Sequence, residues 1–176
     1  NQATTKTQTA EMLATMTRIK EMLEAALASA HNVARGLCPL CMDQSGLSKA
    51  LARLCQGVQE HDRIICQFNT DNDFEITDNE TGLHLFRIAS EAVTNAVKHA
   101  HCQHIVVLLQ RESNTVVLSI SDDGRGMPQD YDADSRLGCS IMAYRASMIG
   151  GTLEINSAHG KGTAVTCRMP LKVKSS

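Results

Sequence analysis

Two stretches carry the residue types and spacings best suited to chemistry. One is Ser121-Asp122-Asp123-Gly124-Arg125-Gly126-Met127-Pro128; the other, upstream, is Glu91-Ala-Val-Thr-Asn95-Ala-Val-Lys98-His99. The first follows an apolar run, Val116 to Ile120, that reads as a strand. It places an acidic pair at the strand end and then opens the backbone with Gly124 and Gly126. A carboxylate there, Asp122, can accept a hydrogen bond from an exocyclic amine such as that of adenine. The glycines let the main chain pass close to a flat ring or a phosphate. In the second stretch Glu91, Asn95 and His99 recur at i, i+4 and i+8 and share one helix face, with Lys98 beside them. Asn95 offers a neutral oxygen, which suits a magnesium ion that keeps most of its waters and takes phosphate oxygens. Glu91, one turn earlier, suits a general base or a group that orients a nucleophile.

Each signal alone has an ordinary reading. A Glu-x-x-x-Asn pair is usually a solvated helix face, and Asp-Gly-x-Gly is usually a tight turn. Gly160-Lys-Gly162-Thr163 is usually a hairpin loop. Their occurrence together, in one order and at compatible distances, supports an ATP site instead. Such a site needs an adenine reader, phosphate donors, a magnesium anchor and a lid against water. Asp122 suits the first and Asn95 the third. Lys98 and His99 suit the phosphates, aided by backbone amides from Gly138 onward at the start of a short helix. Gln129 to Leu137 is long and polar enough to serve as a lid.

The elements that must position these groups follow from periodicity. Met12, Met16, Ile19, Leu23, Ala26, Ala30, Val33 and Leu37 alternate spacings of four and three, an a/d seam that suggests a two-helix or four-helix contact. Gly36 weakens this pattern and Pro39 stops it. Ser45 can cap a second helix with Leu47, Leu51, Leu54 and Val58 on one face. Ile64, Cys66 and Phe68 alternate as in a strand, and Asn69 to Glu75 is a polar turn region. Asp78 or Asn79 begins the apolar helix that carries Glu91 and Asn95. Strands are expected at His104–Gln110 and Thr115–Ser121, joined by Glu112-Ser-Asn114. Gln129 to Gly138 reads as an irregular loop. Ile141 to Ile149 reads as a short helix closed by Gly150-Gly151. Two last strands, Thr152–Asn156 and Thr163–Met169, flank the turn Ala158-His-Gly-Lys-Gly162. Helices and strands in mixed order, without βαβ regularity, predict an α+β sandwich with one mixed sheet under a helical layer.

Bulk properties narrow the class. The chain has 176 residues, 43% of them hydrophobic, enough for one domain and a helical appendage. The expected division is a dimerisation helix over 1–39 and a catalytic domain over 40–176. A net charge of −2 argues against a nucleic-acid face, and the 3% aromatic content leaves no stacking platform. No apolar run approaches the ~20 residues of a bilayer span, and Asn1 to Ala10 is polar, unlike a signal peptide. These features predict a cytoplasmic chain with no membrane contact of its own, compatible with the cytoplasmic part of a membrane-bound sensor. Seven cysteines without framework spacing fit a reducing compartment. Cys38-Pro-Leu-Cys41 lacks the second pair a zinc site needs, even with His31 recruited, so its thiols are read as structural or incidental.

With these residues assembled, Leu85 to Pro170 resembles the catalytic ATP-binding domain of sensor histidine kinases, the Bergerat fold shared with type II topoisomerases and heat-shock chaperone ATPases. Glu91-x-x-x-Asn95-x-x-Lys98-His99-Ala100 is similar to that family's asparagine box. Asp122-Asp-Gly124-Arg-Gly126-Met127 is similar to its first glycine box. Gly138 with Met142-x-x-Arg145-Ala146 and Gly150-Gly151 is similar to the second, and Gly160-Lys-Gly162-Thr163 to the last. Ala34-Arg-Gly-Leu-Cys-Pro39 followed by Ser45-Gly-Leu-Ser-Lys-Ala-Leu51 resembles the nitrate-sensor-type subfamily.

The resemblance implies that Asn95 binds magnesium, Glu91 helps activate the phosphoacceptor and Asp122 reads adenine. Lys98 and His99 would lie near the phosphates. Gly124, Gly126, Met127, Gly138, Gly162 and Thr163 would line the pocket. ATP and Mg2+ are the implied cofactors. A response regulator and a second copy, joined through the N-terminal helix, are the implied partners. Two departures stand out. Arg136-Leu-Gly138-Cys139 replaces the frequent Gly-x-Gly, and no Glu-Leu-His-Asp-like acceptor motif occurs. His31 lies in the wrong helix for that role. The expectation is a piece that binds ATP without an acceptor helix of its own. The alternative is a degenerate docking module that dimerises without turnover.

Overall fold

The computed structural model describes residues 46–71, 76, 78–127 and 133–171, the last range without the side chains of 133–136. All lie in the unit spanning 39–176. The expected N-terminal seam, Cys38, Cys41, His31, the Ser45 cap and the Arg136 side chain fall outside the described residues. Five strands form one sheet: β1 (Ile65–Thr70), β2 (His104–Glu112), β3 (Thr115–Asp122), β4 (Thr152–Ser157) and β5 (Thr163–Pro170). Their order is β1-β2-β3-β5-β4. Only β1 and β2 run parallel, and the crossover between them is the helix α2 (Asn79–Asn95). The remaining pairs are antiparallel. Helices α1 (Gly46–Asp62) and α3 (Ala133–Met148) complete the described elements. The mixed sheet and helical layer of the expected α+β sandwich are present.

Alternation explains which side is core. Cys66, Ile105, Leu118, Ile120, Val165 and Cys167 lie on one sheet face through the strand register, and all are buried. From the helices, Leu51, Leu85, Ile88 and Met142 join them with no measurable exposure. Burying side chains of this size contributes about 1.5–3 kcal/mol each. The other sheet face carries Gln67, Ser119, Glu154 and Thr166. Val117 is buried on that face, with Gln110 and Arg168 as its cross-strand partners. The apolar run Val116–Ile120 is therefore continuous in sequence but divided between two faces.

Helix ends follow local chemistry. The Asp78 carboxylate accepts a hydrogen bond from the Thr81 N–H at 3.1 Å and caps α2. At its far end α2 passes into a π turn, Ala96–Ala100, and His101 closes it in the left-handed region at φ 52°. The sequence gives no sign of this widened turn. Each turn of a π segment takes up an extra residue, so His99 loses the regular i+8 alignment with Glu91 and Asn95 that a continuous α-helix would give.

The larger correction concerns α3. The sequence predicts a loop to Gly138 and a helix from Ile141, but the helix already begins at Ala133. Polar Asp134, Ser135 and Arg136 hid its first turn. Its outer side carries apolar residues as well as its inner one. Leu137, Ile141, Tyr144 and Met148 are exposed, while Gly138, Met142 and Ala146 are buried, as is Ile149 just past its end. Apolar residues on both sides erase the amphipathic signature.

Leu118 lies at the centre of the sheet and is fully buried. Leu118→Ala should cost about 2–5 kcal/mol, read as a lower urea midpoint with an unchanged m-value.

Candidate nucleotide site

Four separated motifs meet through backbone contacts at one end of the sheet. Gly138 of α3 faces α2: a Cβ added there would lie 2.6 Å from Glu91 Oε1 and 3.6 Å from Asn95 Nδ2. As the sixth residue of α3, Gly138 cannot offer the free amide expected of it, because its N–H falls within the helical ladder. Its contribution is the room that it leaves for the Glu91 carboxylate.

The end of the π turn meets the loop after β3. The Ala100 carbonyl accepts from the Arg125 N–H at 2.8 Å, and a Cβ on Gly124 would collide with that same carbonyl. The loop then meets the β4–β5 hairpin. The Arg125 carbonyl accepts from the Gly160 N–H at 2.7 Å, and Gly126 packs against the Ala158 carbonyl. Finally Gly162, at φ +75°, lies so close to the Asp122 carbonyl that no side chain fits.

The two adjacent aspartates have opposite environments, as strand alternation requires. Asp122 pairs with Thr163, which pairs with Ser157, and this row shares the helix-covered face with Ile120 and Val165. The Asp122 carboxylate accepts from the Gly124 N–H at 2.9 Å. Desolvation raises its pKa above the ordinary carboxylate value, against the lowering effect of the Gly124 and Thr163 amides, while the nearby Asp123 charge adds to the rise. Asp123 points away and is consumed. It accepts from the Gln103 N–H at 2.8 Å and the His104 N–H at 2.9 Å, and its second oxygen lies 2.6 Å from His104 Nδ1. These bonds, the His104 amide and ring first, hold its pKa at about 2.

A cleft of about 390 Å³ opens at these strand ends, lined by Ser121, Asp122, Asn156, Ser157, Ala158, Lys161, Gly162, Thr163 and Ala164. It takes in Asp122 and the last glycine motif but not Asn95, Lys98 or His99. Lys98 and His99 are exposed at the end of the π turn. Met127 is half-buried, and its N–H donates to Ser157 Oγ at 2.7 Å. Of the expected lid, Gln129 to Leu137, residues 129–132 lie outside the described residues and 133–137 form the start of α3.

Sequence reasoning missed two participants. Ser157 contacts Met127, the Gly162 carbonyl at 3.2 Å and Thr163 Oγ1 at 3.0 Å. His104 anchors Asp123. Neither belongs to a motif, and only the strand register brings them in. Among the described residues no cluster of His, Cys, Asp and Glu could hold a metal by itself. Among the described residues no helix is long and apolar enough to cross a membrane.

The comparisons with known proteins agree with this geometry. The family model described as histidine kinase-, DNA gyrase B-, and HSP90-like ATPase matches residues 80–173, more than half of the chain. The sensor histidine kinase LiaS of Bacillus subtilis is 31% identical over 163 residues, which cover 89% of this chain and 44% of that protein. The oxygen sensor histidine kinase NreB of Staphylococcus carnosus is 28% identical, covering 92% and 47%. The nitrate/nitrite sensor protein NarX of Escherichia coli is 27% identical, covering 72% and 21%. The chain thus spans less than half the length of these curated relatives. Among solved structures, the histidine kinase domain of the Erythrobacter litoralis EL346 blue-light activated histidine kinase superposes with a TM-score of 0.58 at 29% identity, over 72% of this chain and 61% of that one. The Acinetobacter baumannii histidine kinase AdeS shares the fold at a TM-score of 0.61 and 11% identity, over 88% and 84%.

Gly162→Ala should cost at least ~1 kcal/mol, because backbone rather than a flexible side chain blocks the methyl. Gly138→Ala should leave Tm within a few degrees, since the helix gains up to ~1 kcal/mol of propensity while the displaced atom is the tip of Glu91. Both are read by thermal unfolding. For Asp123 the folded pKa is depressed, so its stabilisation is full above the unfolded value of about 4 and is lost as pH falls towards about 2. Asp123→Asn should flatten the fall of Tm across that window. The chain belongs to the histidine kinase-, DNA gyrase B- and HSP90-like ATPase family, and its described part is an ATP-binding catalytic domain of the sensor histidine kinase type.

Proposed function

We propose that this domain holds ATP between α2 and the strand ends and donates its γ-phosphoryl group to a histidine, for onward transfer to a response-regulator aspartate. The observation that carries the reading is a relay of contacts at one end of the sheet, from Gly138 against Glu91 and Asn95, through Gly124 and Arg125 against Ala100, to Gly162 against Asp122. Asp122 accepts from the exocyclic amine of adenine. Its half-buried carboxylate keeps acceptor capacity beyond the bond to Gly124. Asn95 would hold Mg2+ through its side-chain oxygen, and the ion would supply neutralisation of phosphate charge; the terminal P–O bond of ATP breaks as the phosphoryl group is transferred. Glu91, held where Gly138 leaves space, orients the attacking imidazole and takes its proton as the P–N bond forms. Lys98 and His99 approach the phosphates from the π turn. Gly124, Gly126, Met127, Gly162 and Thr163 bring backbone close to the nucleotide. The acceptor histidine stands in no motif of this sequence, so transfer requires another helix. A homodimer of the full-length protein, joined through the N-terminal helix, is the arrangement that would present it. Five free thiols among the described residues suit a reducing, cytoplasmic setting.

Thermal unfolding with Mg2+ and a non-hydrolysable ATP analogue tests the reading. At ~100 times its dissociation constant the analogue should stabilise by about 2.7 kcal/mol, and Asn95→Ala should abolish the Mg2+-dependent part. No shift at millimolar nucleotide would overturn the proposal.

Asp122→Asn gives a sharper signature. Because the folded pKa of Asp122 is raised, neutralising it adds stability that is full below the unfolded value and lost as pH rises through the folded one. At neutral pH the charge therefore burdens the free protein. The variant should match or exceed the parent in free Tm while binding nucleotide at least ~10-fold more weakly, the loss of about 1.5 kcal/mol or more from a charged hydrogen bond.

A further inference from the structure

One hydroxyl at the edge of the sheet makes three polar contacts and belongs to none of the motifs. Ser157 ends the edge strand β4, where the register sets it beside Thr163, and Thr163 beside Asp122. All three line the cleft. Ser157 Oγ accepts from the Met127 N–H at 2.7 Å, reaches the Gly162 carbonyl at 3.2 Å and lies 3.0 Å from Thr163 Oγ1.

A serine hydroxyl has one proton and two lone pairs, and this fixes the direction of the third contact. A backbone N–H can only donate, so the Met127 amide takes one lone pair. A carbonyl can only accept, so the Gly162 contact is a hydrogen bond only if it takes the serine proton. Were that proton turned to Thr163 instead, a serine lone pair would face the Gly162 carbonyl oxygen at 3.2 Å. One arrangement satisfies all three contacts: Ser157 donates to Gly162, and Thr163 donates to the remaining lone pair of Ser157. The Thr163 hydroxyl then has no proton left for a ligand. It presents lone pairs to the cleft, as the half-buried Asp122 carboxylate beside it does.

We propose that Ser157 is a positioning residue for nucleotide selection: it holds Thr163 as a hydrogen-bond acceptor, so that Thr163 and Asp122 together select a purine carrying the exocyclic amine of adenine. The assignment rests on the reading of this cleft as the adenine end of an ATP site. An amine has two N–H hydrogens, one for each acceptor. A purine without it leaves both acceptors unpaired, and one with a carbonyl oxygen in its place sets acceptor against acceptor. Sites built to pair with a polar substrate group reject analogues lacking it strongly, because the protein's own polar groups then lose their partner. The same hydroxyl, through Met127, also ties the loop after β3 to the hairpin that carries Thr163. Selection and loop placement thus share one atom.

Binding of ATP and of purine riboside triphosphate, which lacks only the 6-amino group, is titrated calorimetrically on the full chain with Mg2+. In the parent, loss of the amine should weaken binding at least ~30-fold, the worth of one charged and one neutral hydrogen bond. Ser157→Ala frees the Thr163 proton to turn into the cleft and should shrink that ratio about 5-fold. Ser157→Thr keeps the hydroxyl and should restore it. Thr163→Val should shrink the ratio as far as Ser157→Ala does, and the two together no further, because both remove the same acceptor. Equal weakening of the two nucleotides by Ser157→Ala would overturn the assignment and leave Ser157 as a tie between loop and hairpin. Additive losses in the double variant would overturn it as well. Binding of neither nucleotide by the parent would overturn the ATP reading, and this assignment with it.

Discussion

The constraint on which the site rests is the approach of two backbones at Asp122 and Gly162. A side chain at Gly162 would occupy the space of the Asp122 carbonyl, so the hairpin can close on β3 only with glycine there. That closure pairs Asp122 with Thr163 and Thr163 with Ser157. It also turns the 158–162 hairpin onto the loop after β3, where Gly160 bonds Arg125 and Arg125 bonds Ala100. One tight contact at the rim of the sheet thus links β5, the loop after β3 and the end of α2. Each further link is an ordinary backbone hydrogen bond, worth about 1 kcal/mol, and none would find its partner without the first.

From this frame the acidic pair acquires its asymmetry. Asp122 and Asp123 are the same residue type, one position apart. Strand alternation sends Asp122 to the helix-covered side, where desolvation works against its charge, and leaves Asp123 in solvent beside His104. Asp123 spends its acceptors on two backbone amides and a ring nitrogen, and it holds the start of β2 against the end of β3. An exposed ion pair adds little stability by itself. Its importance here is geometric, because it holds the loop whose next residue, Gly124, lies against Ala100 and donates to Asp122.

Much of this was legible in the sequence. The inward residues of β2, β3 and β5 follow period two, and the apolar positions of α1 and the Asp78 start of α2 follow from spacing and capping chemistry. The motifs named Glu91, Asn95, Asp122 and the glycines; the structure sets Gly138 against Glu91 and Gly162 against Asp122, while the cleft takes in Asp122 without Asn95. What was not legible has physical causes. The first turn of α3 is polar and its later turns are apolar on both sides, so the helix has no readable stripe. The π turn leaves no compositional trace, since Ala96 to Ala100 suits an α-helix equally well. Ser157 and His104 enter through cross-strand register, a property of paired segments rather than of either one.

The departures from local rule fall in one place. Glycine inside a helix costs about 1 kcal/mol relative to alanine, yet Gly138 stands six residues into α3, opposite Glu91. A π turn is a rare way to end a helix, yet this one lies between Asn95 and the loop carrying Gly124. A half-buried carboxylate whose charge is disfavoured lowers stability at neutral pH, yet Asp122 terminates the central strand. The hydrophobic core, in contrast, obeys period and packing almost everywhere. Sequences keep locally unfavourable choices where something other than folding selects them. Three such choices, of three different kinds, border the same end of the sheet and are separated there only by the backbone contacts already traced. Their coincidence is an energetic argument for the proposed site at this end of the sheet, independent of the motif matches that name it.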